Sequence, residues 1–142
     1  MDAKASTTNL LHVLTESKDL REYIETNRDS FVNDTLSDFL NRLLQEKGMR
    51  KTEAIKRAEL NENYVFQIFS GLRKTISRDK LICLGIGLQL TAPEADRLLK
   101  LAGLAPLYPK IKRDSIVLYG LINRQSVSEI NHVLYENGEK TL

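Results

Sequence analysis

The chain has 142 residues, 42% of them apolar and 28% charged, with a formal net charge of +2. That length supports one buried core with a small appendage and excludes two large domains. The composition excludes disorder along the whole chain, and the charge excludes a histone-like polycation.

Residues 1 to 35 read as an acidic N-terminal extension, with seven Asp/Glu against four Lys/Arg. A weak helix is expected around Asn9 to Leu14, followed by a second in SKDLREYIETN (17–27), where Leu20, Tyr23 and Ile24 form a docking stripe. Ser6, Thr7 and Thr8 are open to modification, although hydroxyls near a chain end usually carry no function. Leu36, Phe39, Leu40, Leu43 and Leu44 then follow the spacing of an amphipathic helix, and Gly48 is placed to end it in a left-handed cap. KTEAIKRA (51–58) is short and amphipathic, with Ala54, Ile55 and Ala58 inward. After a tight turn comes NENYVFQIFS (61–70), stopped by Gly71.

RDKLICLGIGLQL is apolar on most sides, as suits a helix in the middle of a bundle, although Gly85 and Gly87 weaken its regularity. Its Cys83 is the one cysteine, so no internal disulfide forms, and a buried thiol in a reducing compartment is expected. The longest uncharged stretch, Leu81 to Pro93, falls short of a membrane span, and LLHVL near the start is the one segment resembling a signal core. A cytosolic protein follows as the expectation. TAPEADRLLKLAG opens with a capping box from Thr91 to Glu94, tolerates Pro93 in its first turn and closes at Gly103. Beyond LAPLYPK, DSIVLYGLIN (114–123) is apolar nearly all round, and SVSEINHVLYENG starts with a second capping box, Ser126 to Glu129. The reading is an all-α protein: an N-terminal helical extension (1–35), a five-helix unit (36–104) and a two-helix C-terminal appendage (105–142).

Residues 47 to 80 hold nine Lys/Arg against four Asp/Glu, so the middle third is the basic part. Two short helices joined by a tight turn, the second ending at a glycine followed by cations, have the layout of a helix-turn-helix. From Gly48 to Ile76 the sequence resembles the phage-repressor-like (XRE, Cro/repressor) helix-turn-helix family without a gap. The resemblance rests on GMRK at Gly48 to Lys51, ELN at Glu59 to Asn61, Val65 and Ile68 inside the second helix, and GLRK at Gly71 to Lys74. It implies a five-helix repressor-like bundle over residues 36–104 that binds double-stranded DNA as a dimer. Two departures stand out. Glu59 replaces the usual turn glycine, which requires a strained backbone or a different path. Arg50 and Lys51 replace the usual Ser and Gln, removing a favoured N-cap while adding two cations near the expected phosphate.

Turning the second helix through about 100° per residue puts Tyr64, Val65, Ile68 and Leu72 on the inward stripe with Leu60. Glu62, Asn63, Phe66, Gln67 and Ser70 fall on the outer arc, with Phe69 at its boundary. Asn and Gln can pair with adenine N6 and N7, Phe can touch a thymine methyl and Glu can accept from cytosine N4, so Asn63, Gln67, Phe66, Glu62 and Ser70 are the candidate base readers. Lys51, Arg73 and Lys74 flank the helix as candidate phosphate contacts, with Lys56 and Arg57 secondary.

Catalysis has little to stand on. His12 and His132 lie in different tails with no cysteine or paired carboxylate at ligand spacing, so no metal is expected. Gly85 and Gly87 lack the context of a phosphate loop, and no serine or cysteine sits beside a base. No cofactor and no enzyme activity are expected. Two readings stay open: a sequence-specific DNA-binding transcriptional regulator, and a protein-interaction adaptor or antitoxin-like module that binds a partner through Phe66, Phe69 or the acidic N-terminal segment. In the first, Ser115 to Asn123 with the last helix forms either the dimer contact or part of the monomer core.

Overall fold

The computed structural model describes residues 7–16, 19–26 and 35–142. Among them there are nine α-helices and no strand, divided between two compact units, Met1–Asp34 and Thr35–Leu142. The first unit holds α1 (Thr7–Glu16) and α2 (Leu20–Thr26). Thr15 donates to the Leu11 carbonyl and His12 sits 3.4 Å from Glu16, both local to α1. Leu20 and Ile24, expected as a docking stripe, are exposed, and α2 buries none of its residues. Ser6, Ser17, Lys18 and Asn27 lie outside the described residues.

In the second unit, local caps place the helix ends. Thr35 accepts from the Asp38 N–H to start α3 (Leu36–Lys47), which ends at Gly48 with φ 60°. Next come α4 (Lys51–Ala58) and α5 (Glu62–Ser70), the latter capped by Asn61 and stopped by Gly71 at φ 82°. Ser77 caps α6 (Arg78–Gly87). Both expected capping boxes are present, Thr91 with Glu94 opening α7 (Ala92–Leu101) and Ser126 with Glu129 opening α9 (Val127–Glu136). Between them, α8 (Lys112–Ile122) begins two residues before the expected start at Asp114. Helices this short are marginal alone, so tertiary packing holds them.

That packing is organised around α6, whose every residue from Leu81 to Gly87 is buried. It lies against α4, α7 and α9, while α3 packs on α5 and α7, and α8 on α7 and α9. The closest approach is at Gly87, where an added Cβ would come 2.4 Å from the Ala54 carbonyl oxygen and 2.8 Å from the Ala58 nitrogen. Only a glycine facing two alanines lets the helices come so near. Burial pushes the Cys83 thiol up to about 11, with the charges of Asp79 and Glu59 adding to it, so this thiol stays protonated.

The C-terminal helices are joined to this core by two crossed ion pairs. Arg78 grips Asp114 through two hydrogen bonds of 3.1 and 2.9 Å, and also donates to the carbonyls of Ala105 and Pro106. Arg113 grips Asp79 at 2.9 and 3.1 Å and donates to the carbonyls of Lys140 and Thr141. Asp114 is only 3% exposed, and the Tyr108 N–H supplies its further partner. Such a bidentate, fully hydrogen-bonded arrangement lets a carboxylate be buried. The buried side of α8, Val117, Gly120 and Leu121, thus belongs to the core of its own chain.

Two stability predictions follow from these contacts. Gly87→Ala is expected to lower stability by about 1–3 kcal/mol through overpacking. Gly85→Ala in the same helix should be neutral or stabilising, because its Cβ would meet only the Leu90 side chain at an ordinary 3.5 Å; urea unfolding of both variants checks the contrast. Partial burial alone would raise the Glu94 carboxyl, but hydrogen bonds from the Thr91 N–H and Lys47 (3.0 Å) outweigh it, and the pKa falls below its ordinary 4.5. A carboxylate depressed on folding stabilises above its unfolded pKa and loses that contribution as pH falls through the folded one. The stability gap between wild type and Glu94→Gln should therefore be full above about pH 4.5 and close below it, as followed by thermal unfolding across pH.

Candidate nucleic-acid interface

α4 and α5 are joined by Glu59, Leu60 and Asn61 alone. Arg50 stands at the N-cap of α4 with an extended backbone and no side-chain cap, leaving the first amides of α4 flanked by Arg50 and Lys51. Glu59 adopts the left-handed conformation, φ 56° and ψ 38°, at the position where a glycine is usual, so the strained backbone is the alternative realised. Its carboxylate accepts from the Ser128 N–H at 3.0 Å and from the Ser128 hydroxyl at 2.7 Å, at the start of α9. A carboxylate at a helix N-terminus is favourable, and these bonds offset the roughly 1–2 kcal/mol cost of the left-handed backbone.

The inner face of α5 is Val65, Ile68 and Phe69. This corrects two expectations. Phe69 is 2% exposed, packed in the core with α3 nearby, where Asn41 donates to its carbonyl at 2.9 Å; it offers no surface to a partner. Leu72, expected inward, is 77% exposed, because the helix ends at Ser70 and the left-handed Gly71 turns the chain away before it. Leu60 and Tyr64 are half-buried.

Glu62, Asn63 and Ser70 are exposed on the outer arc, Phe66 is 36% exposed and Gln67 is half-buried. The Ser70 hydroxyl donates to the Gln67 carbonyl at 3.1 Å and accepts from the Leu72 N–H, so it finishes the helix. The Gln67 side-chain oxygen accepts from Arg73 Nε at 3.2 Å, and the Gln67 carbonyl accepts from the Arg73 N–H at 3.0 Å. That orients the amide while leaving its NH2 and a second oxygen lone pair open.

Cations bracket this arc. On one edge the Lys51 ammonium lies 5.9 Å from the Phe66 ring centre and 5.3 Å from that of Phe69. On the other, Arg73 lies 4.8 Å and Lys80 4.4 Å from the Tyr64 ring centre, while exposed Lys74 lines a small cleft with Arg73, Ser37 and Gly71. Lys80 counts among the cations of the basic middle third, but nothing in its spacing ties it to Tyr64 or to α5. Lys56 and Arg57 are elsewhere, lining a cavity with Arg124, and Arg57 is paired with Glu53 at 3.0 Å. Of the nine cations between residues 47 and 80, Lys47, Arg57 and Arg78 are held in ion pairs.

Comparison with protein-family models, curated proteins and solved structures returns no match. The chemistry of the surface is therefore the guide to function. Among the described residues no group of three or more His, Cys, Asp or Glu side chains is arranged to hold a metal ion, and no helix is long and apolar enough to cross a membrane.

The strained turn can be tested directly. Glu59→Ala keeps a Cβ in the left-handed conformation and loses the Ser128 contacts, so it should cost about 1–2 kcal/mol. Glu59→Gly loses the same contacts but relieves the backbone and should fall between Ala and wild type in denaturant midpoint.

Proposed function

We propose that the protein is a sequence-specific, double-stranded DNA-binding transcriptional regulator of the phage-repressor-like helix-turn-helix type, with α5 entering the major groove. One observation carries the reading: an outer arc bearing two amides and an aromatic ring is bracketed by Lys51 on one edge and by Arg73 and Lys80 on the other. Phosphate rails flank a groove in the same way, and charge at the edges with neutral hydrogen-bonding groups between them suits both. Asn63 and the Arg73-oriented Gln67 are assigned to adenine edges, Phe66 to a thymine methyl and Glu62 to cytosine N4. Ser70 contributes least, its hydroxyl being engaged at the helix end.

Lys51, Arg73, Lys74 and Lys80 are assigned to phosphates, together with the first amides of α4 beside Arg50. Lys56 and Arg57 receive no such role, since they line another cavity. A single α5 reads one half-site, so the working form is proposed as a homodimer whose reading helices sit about 34 Å apart. Tyr119 and Ile122, left exposed on α8, are available for its contact. The adaptor reading draws less support, because the burial of Phe69 leaves Phe66 without its aromatic neighbour on the surface.

Selection from a random duplex library, followed by titration at several salt concentrations, tests the proposal. Lys74→Ala should weaken all sequences alike and reduce the salt slope by about 0.9. Gln67→Ala should relax preference at one base pair, worth about 1–3 kcal/mol, with the slope unchanged. Arg73→Ala should do both, since Arg73 holds the Gln67 amide as well as presenting its charge. Absence of any selected sequence, or indifference of binding to all three changes, defeats the proposal.

A further inference from the structure

On the outer arc of α5, Glu62 opens the helix and Phe66 follows one turn later, and both side chains are exposed. Residues so spaced share a face, with Cβ atoms about 5–6 Å apart, and the N-terminal part of a reading helix is the part that meets base edges. The Lys51 ammonium lies 5.9 Å from the Phe66 ring centre on one side. Glu62, by contrast, has no ion-pair partner among the described residues. A bare carboxylate entering an anionic groove is disfavoured unless a donor on a base meets it.

The donors a major groove offers are the exocyclic amino groups, N4 of cytosine and N6 of adenine. The ring beside Glu62 calls for an apolar group next to that donor. Thymine has a C5-methyl but sets its O4 acceptor beside it, where it would face the carboxylate. Unmodified cytosine has the amino group without the methyl, and adenine sets its N7 acceptor beside the amino group. 5-Methylcytosine presents both groups on adjacent ring atoms, the amino group at C4 and the methyl at C5. Methylation of the amino group itself has the opposite consequence: in a paired N4-methylcytosine the methyl takes the place of the hydrogen that Glu62 would accept. Assigned singly, Phe66 takes a thymine methyl and Glu62 a cytosine amino group; acting together they fit one modified base.

We propose that Glu62 and Phe66 together read 5-methylcytosine, Glu62 accepting from the N4 amino group and Phe66 covering the C5-methyl, so that cytosine methylation strengthens binding. This rests on the assignment of α5 to the major groove. Two random duplex libraries, one made with cytosine and one with 5-methylcytosine, are taken through selection with the full chain. Single cytosines of the selected site are then replaced by 5-methylcytosine or N4-methylcytosine and Kd is measured for each. At one base pair of each half-site, 5-methylcytosine should bind about fourfold tighter than cytosine, as burial of one methyl implies, and N4-methylcytosine about tenfold weaker. Phe66→Ala should remove the first effect and keep the second. Glu62→Ala should remove the second and narrow the preference for 5-methylcytosine over thymine at that pair. Both side chains are exposed, so neither variant threatens the fold. Selected sequences in which no position gains from 5-methylcytosine, a gain that survives Phe66→Ala, or an N4-methyl penalty that survives Glu62→Ala would overturn this proposal and leave DNA reading by α5 intact. Recovery of no sequence from either library would overturn both.

Discussion

The backbones of α4 and α6 meet at Gly87, and the contact exists because a side chain is missing there. With hydrogen at Gly87 and methyl groups at Ala54 and Ala58, the helices approach until backbone faces backbone. A helix buried from Leu81 to Gly87, as α6 is, has little free surface along which to slide when a neighbour changes size. The position of α4 is thereby set, and α5 follows after only three residues of turn. Once Val65, Ile68 and Phe69 are buried, with Asn41 holding the Phe69 carbonyl, the arc from Phe66 to Gln67 has to look outward. The surface assigned to DNA is in this sense a consequence of the close crossing of α4 and α6.

A second constraint sorts the cations. The dipeptide Arg-Asp occurs at the start of α6 and again at the start of α8, and the two copies pair crosswise. Arg78 also collects backbone carbonyls from the link before α8 and Arg113 from the segment after α9, so the C-terminal helices are attached by directed, charge-assisted bonds as well as by apolar contact. Arg78 is thus withdrawn from the basic surface, as is Lys47 by Glu94. What remains beside α5 is a smaller set in which Lys51, Arg73 and Lys80 are steadied by aromatic rings. Cations held this way lose less side-chain freedom when they meet a phosphate than freely mobile ones would.

Much of the local structure was legible. Caps are short-range chemistry, so Gly48, Gly71 and the two capping boxes could be read from a few neighbouring residues, and so could the strained Glu59. The helical wheel failed where it was carried past its domain. Leu72 was assigned to a face of a helix that has already ended, and a stripe centred on Leu60 put Phe69 too far out. Contacts between distant parts of the chain had no local signal. Neither Lys80 on Tyr64 nor the crossed Arg-Asp pairs could be inferred from spacing, since each depends on where the helices pack.

Glu59 joins these levels. A glycine would relax the turn at no steric cost, yet the side chain present reaches the first turn of α9 and ties the α4–α5 turn to the C-terminal appendage. The turn geometry is consequently held at both ends, by its own caps and by a contact many residues away. Any change that moves α9 relative to α6 must either break the Ser128 contact or drag Glu59 with it. The turn between α4 and α5 is therefore tied to the start of α9 by the Glu59–Ser128 bonds, even though no residue of α8 or α9 belongs to the surface assigned to DNA in the proposal.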